Sequence, residues 1–236
     1  MRPALLAPYV VITALHLGAD LTGAHVLADA TQVLLMPALG LFLLVNAPAR
    51  DRLVDLTRWA LLFSWLGDSV PRLLHGDAQF GAMLGSFLIA QVCYIRGFLP
   101  FREQSLWQVR RPWLAPYGLA LLALLALCVP AAGVLAPAVV VYGCCLPLMA
   151  TLASGVNALT WAGAAIFMVS DSLIALDAFD VWTQPGHDFW VMSTYCAAQL
   201  LIVLGVLRQA TRTRPLRAAA TLTPPVGAVV DRPLDR

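Results

Sequence analysis

The chain has 236 residues, 60% of them hydrophobic and 12% charged, with a net charge of +2 and a mean hydropathy of +0.79. A soluble domain carries roughly 25% charged residues, so polar surface is too scarce to cover a core of this size, and lipid must cover it. The small net charge excludes nucleic acid as a partner, because no stretch sets clustered basic residues among aromatics on a polar face.

A bilayer-spanning helix needs roughly 20 mostly apolar residues. Eight segments qualify, at about 4–23, 29–46, 54–74, 78–99, 113–130, 134–153, 156–178 and 187–208. Turn chemistry separates them: Asn46 to Pro48, Gly76-Asp77, Arg110 to Pro112, Pro130 to Gly133, Ser154-Gly155 and Pro185-Gly186. The first segment follows one Arg and has no small-residue cleavage site, so it reads as a spanning helix and not as a removed signal peptide. The expected architecture is an all-α polytopic membrane bundle over residues 1–210. Residues 211–236 hold several Arg, Asp and Pro without an apolar period, and are expected to form a disordered cytoplasmic tail.

Eight spans put both termini on one side. That side collects Arg2, Arg50, Arg52, Arg102, Arg110, Arg111, Arg208, Arg212, Arg214 and Arg217, while the other holds Arg72 with Asp77, Asp180 and Asp188. The positive-inside rule then makes both termini cytoplasmic. Every basic residue is Arg and Ala, Leu and Val dominate, which points to a bacterial chain in the inner membrane. The five cysteines lie in apolar runs without a metal-type spacing. Trp107, Trp113, Trp182 and Trp190 fall near segment ends, as an interfacial belt does.

Two stretches stand out on this topology. Trp59 to Arg72 carries Asp68-Ser69, and Trp161 to Leu176 carries Asp171-Ser172. An Asp at mid-membrane costs about 2.5–3.5 kcal/mol even on the lowest scale, so each acid demands compensation. The third and seventh segments run the same way and place both acids in the outer half of the bundle. His16 and Asp20 share a face of the first segment at comparable depth. Gln32 opens the second, Tyr142 and Tyr195 lie in the outer halves of the sixth and eighth, Gln199 is one turn below Tyr195, and Gln91 and Tyr94 lie deeper on the fourth. Ala90-Gln91 and Ala198-Gln199 echo the two Asp-Ser pairs, which suggests two parallel four-helix halves.

Two uses of the acids compete. Structurally, Asp68 pairs with Arg72 one turn away or caps neighbouring backbone, and Asp171 bonds Ser170, Ser172 or another helix. Functionally, both face one water-accessible cavity. Arg72 is an interface anchor or a ligand for a lipid phosphate. The four histidines lie in separate segments with no H-x-x-x-H, so no metal site and no cofactor are expected. No serine has a nucleophile-elbow context.

The runs F-S-W-L-G-D-S at 63–69, S-F-L-I-A-Q-V-C-Y-I-R-G-F at 86–98, F-M-V-S-D-S-L-I-A-L at 167–176 and Y-C-A-A-Q-L-L-I-V-L-G at 195–205, with L-L-M-P at 34–37, resemble the YhhN-type family of membrane proteins. Members with an assigned activity are lysoplasmalogenases, which split the vinyl ether of a lysoplasmalogen into a fatty aldehyde and a glycerophospho-base. The resemblance implies a lysophospholipid substrate in a lipid environment. It also implies Asp68 and Asp171 as the catalytic pair. Their depth in the bundle sets Gln32, Gln91, Tyr94, Tyr142, Tyr195 and Gln199 around the substrate, with His16, Asp20 and Arg72 in support. The chain departs from the family pattern in having Gln32-Val33 for Lys-Pro and Gln91 for His. Vinyl ether hydrolysis needs a proton donor and a carboxylate that steadies a cation or activates water, as glycoside cleavage does. Two other classes stay open: a proton- or cation-coupled transporter, and a lipid-binding relative without catalysis, for which Gln32 and Gln91 are the best support.

Overall fold

The computed structural model describes residues 2–222. Among them are nine α-helices with short 3-10 turns between, and no strand: α1 (Ala7–Thr22), α2 (His25–Asn46), α3 (Arg52–Ser69), α4 (Asp77–Phe98), the one-turn α5 (Leu106–Val109), α6 (Ala115–Cys128), α7 (Ala136–Ala153), α8 (Ala158–Ala178) and α9 (His187–Leu222). The all-α bundle expected from the sequence is present. Seven of the long helices are apolar enough to cross a membrane. The remaining one, α3, carries Arg52, Asp55 and Arg58 in its first two turns and Asp68 near its end, which lowers its hydropathy. It is nevertheless built into the bundle between α2 and α4.

Three boundaries depart from expectation, each for a local reason. The third segment does not stay α-helical to residue 74: it ends at Ser69 and tightens into a 3-10 turn over Val70–Leu73. Pro71 lacks an N–H and disfavours the helical conformation of the residue before it. The loop near residues 99–114 folds into 3-10 turns around α5. Finally, α9 extends to Leu222, into the stretch expected to be a disordered tail. The Arg217 to Ala220 run consists of good helix formers, and residues 223–236 lie outside the described residues.

Membrane helices gain little hydrophobic drive from meeting one another, so close backbone approach at small residues holds them together. The α8–α9 hairpin is built this way. A Cβ on Gly163 would lie 2.7 Å from the Ala198 carbonyl oxygen and 2.8 Å from the Ile202 nitrogen, and one on Gly205 would meet Thr160 and Asn157. Asn157 caps α8 through its Oδ1, which accepts from the Leu159 and Thr160 amides. Its Nδ2 donates to the Gly205 carbonyl at 2.8 Å. The α3–α4 hairpin meets similarly, with Gly67 against the ring of Phe87. The outer faces are apolar: Leu119 is 70% exposed, Leu122 66% and Val26 85%, and the four belt tryptophans are about half exposed. A soluble protein does not present such a surface, whereas lipid covers it without cost.

Candidate functional site

At the bundle end opposite the termini, α1 finishes, α2 begins, α3 turns at Pro71, and α8 gives way to α9. A cavity of about 560 Å³ opens there, lined by both Asp68 and Asp171. Polar side chains make up much of its wall: His16 and Asp20 from α1, Asp29 and Gln32 from α2, Arg72, and His187 and Asp188 from the start of α9. Both acids are buried, at 8% and 7% exposure, so their partners matter.

Each carboxylate is held by a tyrosine from another helix. Tyr195 Oη donates to Asp68 Oδ2 at 2.8 Å, and Tyr142 Oη donates to Asp171 Oδ2. Gln91 Nε2 adds a longer bond to the same oxygen of Asp171, at 3.3 Å. Of the structural pairings weighed from the sequence, the bond from Asp171 to another helix occurs, and the local ones to Arg72, Ser170 and Ser172 do not. Arg72 does not bond the Asp68 carboxylate; its Nε donates to the Asp68 backbone carbonyl at 3.0 Å. Ser170 donates to the Val191 carbonyl and Ser172 to the Met168 carbonyl, so neither serves Asp171. Tyr195 is steadied by edge contacts with Phe87 and Phe167, at centroid distances of 5.8 and 6.0 Å.

A second, apolar crevice of about 40 Å³ reaches Asp171 from between α4, α6, α7 and α8, past Leu84, Leu124, Val139 and Ala175. Asp171, Met83, Phe87 and Ile174 line both spaces, whereas Asp68 lines the polar one. Asp171 thus stands where a polar chamber meets a hydrocarbon slot.

The remaining sequence candidates divide into wall and support. His16 and Asp20 line the cavity with Nε2 and Oδ2 3.6 Å apart. The ring is set by Nδ1, which lies 2.9 Å from Thr31 Oγ1 and 3.0 Å from the Ala28 carbonyl. Gln32 is on the wall and accepts from Arg72 Nη2. Tyr94 and Gln199 stand behind it: Tyr94 Oη donates to Gln199 Oε1 at 2.6 Å, and Gln199 Nε2 donates to Ser64 Oγ at 3.0 Å. All three are fully buried, so this chain ties α4, α9 and α3 together beneath the cavity.

Residues 27–206 match the YhhN family, and that stretch contains both aspartates and both tyrosines that hold them. The chain belongs to the YhhN family. It is 30% identical to proteins named lysoplasmalogenase from Mycobacterium bovis and Mycobacterium tuberculosis over 218 residues, covering 84% of this chain and 77% of each relative. No solved structure matches it. In this YhhN chain Asp29, Met83, Phe87 and Ile174 also line the cavity, and none of them was among the residues expected from the sequence. For Asp29 a signal existed: it precedes Gln32 by three residues, which puts both on one face of α2. For the other three the signal was absent, since an apolar side chain in an apolar helix carries no mark of the cavity it faces.

Proposed function

We propose that this protein is a lysoplasmalogenase of the bacterial inner membrane, hydrolysing the vinyl ether of a lysoplasmalogen with Asp68 and Asp171. The observation that carries the reading is the position of Asp171 at the junction of the polar chamber and the hydrocarbon slot. In a lysoplasmalogen the vinyl ether is itself that junction, with glycerol phosphate on one side and the chain on the other. Seated so, the head group occupies the polar cavity, the chain follows the crevice, and the reactive double bond lies against Asp171.

The chemistry follows from those positions. Asp171 delivers a proton to the chain-side vinyl carbon, leaving an oxocarbenium ion on the carbon bonded to oxygen. Water attacks that carbon and gives its proton to Asp68, forming the hemiacetal. Asp68 then returns this proton to the departing glycerol oxygen while Asp171 takes the hemiacetal hydroxyl proton. The products are the fatty aldehyde and the glycerophospho-base, and both acids regain their starting states. Tyr195 and Tyr142 fix which oxygen of each carboxyl is engaged and leave the other facing the reaction. Tyr195→Phe and Tyr142→Phe are each expected to lower kcat about tenfold, the worth of one hydrogen bond to the charge on Asp68 and to the charge that develops on Asp171 as its proton leaves, with unchanged thermal stability as the control.

The orientation supported by the arginine asymmetry puts both termini in the cytoplasm and the cavity mouth toward the outer leaflet. The direct test is release of fatty aldehyde from lysoplasmalogen by the purified protein. Tight lipid binding without aldehyde is the outcome that rejects the hydrolase reading. The crevice has its own test. Ala175→Phe narrows the slot one turn from Asp171 and is expected to raise KM for long-chain substrates far more than for short-chain ones. Equal effects at all chain lengths would remove the crevice from the substrate path.

A further inference from the structure

Arg72 is the cavity's one permanently charged cation among the described residues, and its setting is unusual. Pro71 breaks α3 into a 3-10 turn, which sends the side chain back into the cavity in place of continuing along the helix toward the interface. There its Nε donates to the Asp68 carbonyl, one Nη donates to Gln32 and the other to Asp29. The first two bonds fix the plane of the guanidinium. Of its five N–H groups, three are used, so two remain uncommitted.

The Asp29 contact is the weak member. Asp29 is 66% exposed and the Arg72 side chain 28%, and ion pairs at such exposure contribute little because water competes for both charges. An anion that takes both free N–H groups and displaces Asp29 loses little and gains a bidentate, charge-assisted contact. A phosphate diester has the geometry for it.

We propose that Arg72 is the phosphate anchor of the cavity and sets the register of the substrate against the two acids, a role that rests on the lysophospholipid reading above. The spacing fits. Arg72 Nε lies 3.0 Å from the Asp68 backbone carbonyl, and a three-carbon glycerol separates the phosphate from the vinyl ether oxygen. Because Arg72 Nε holds the carbonyl of Asp68 itself, a phosphate seated on the guanidinium lies at a fixed distance from that carboxylate. Substrates lacking the phosphate forfeit the register, so the anchor makes the enzyme selective for phospholipid over 1-alkenylglycerol of the same chain length. Asp29 then acts as a stand-in that occupies the guanidinium between substrates.

The test compares kcat/KM for lysoplasmenylethanolamine and for 1-alkenylglycerol. Wild type is expected to favour the phospholipid at least tenfold, and Arg72→Gln to lower that ratio by roughly ten- to a hundredfold, the worth of hydrogen bonds to a charged group. Arg72→Lys should restore part of the ratio, and Asp29→Asn should lower KM for the phospholipid alone. Equal losses on both substrates in Arg72→Gln would make Arg72 a brace of the α2–α3 corner and overturn the proposal, as would a wild-type ratio near one. Binding is read separately with non-hydrolysable 1-alkyl ethers, with and without the phospho-head group. Preferential binding of the phosphorylated ether, lost in Arg72→Gln, upholds the anchor even if no substrate is turned over, in which case only the hydrolase reading fails. Equal binding of the two ethers overturns the anchor. Inorganic phosphate, tested alone, should protect wild type against heat much less than the phosphorylated ether does. Equal protection would make this a free-anion site and overturn the lipid assignment.

Discussion

Asp171→Asn is expected to reduce aldehyde release by roughly a thousandfold or more, within the range that general acid–base groups supply, and Asp68→Asn by a similar factor. Both replacements are isosteric and leave the partner tyrosines their hydrogen bonds, so the proteins should unfold at wild-type temperatures. The two roles then separate by chemical rescue. In Asp171→Gly, added formate must act as an acid, and the protonated form becomes scarce above its pKa. Rescue should therefore rise as pH falls. In Asp68→Gly the anion is the active form, and rescue should rise with pH and level off. Identical pH dependence in the two variants would sink the division of labour that follows from Asp171 bordering the hydrocarbon slot. Retained turnover in either Asn variant would remove that acid from the mechanism.

Gly205→Val is expected to cost the folded protein about 3 kcal/mol or more, the upper range for overpacking. At this position the new side chain meets Thr160 and Asn157, so it displaces the residue that caps α8 and bonds the Gly205 carbonyl. The α8–α9 hairpin must then separate, and with it Asp171 on α8 from Tyr195 on α9. Gly163→Val should act alike, against the Ala198 and Ile202 backbone. Thermal unfolding in detergent is the measurement, with an expected drop of several degrees. A variant that keeps the wild-type transition would mean the hairpin does not depend on this contact.

The sequence alone determined the spanning segments, the charge asymmetry between the two ends of the bundle and the two costly acids. The reason is that hydropathy sums over a window of local residues, and a buried carboxylate in an apolar run is conspicuous without any knowledge of its neighbours. Helix phase also placed His16 with Asp20 correctly, because i,i+4 geometry is internal to one helix. Only the tertiary structure decided who partners whom. Asp68 is bonded by Tyr195, more than a hundred residues away in the chain, and Asp171 by Tyr142, while Tyr94 and Gln199 turn toward each other behind the cavity. Those outcomes depend on how far each helix is rotated about its axis, which is set by close contacts such as Gly163 on α9 and Gly67 on Phe87. Rotation is a property of pairs of helices, so no single segment encodes it. The same holds for Arg72, which becomes part of the cavity wall only because the Pro71 turn returns it to α2, and for Asp171, whose place between water and hydrocarbon exists only once four helices enclose the slot beside it.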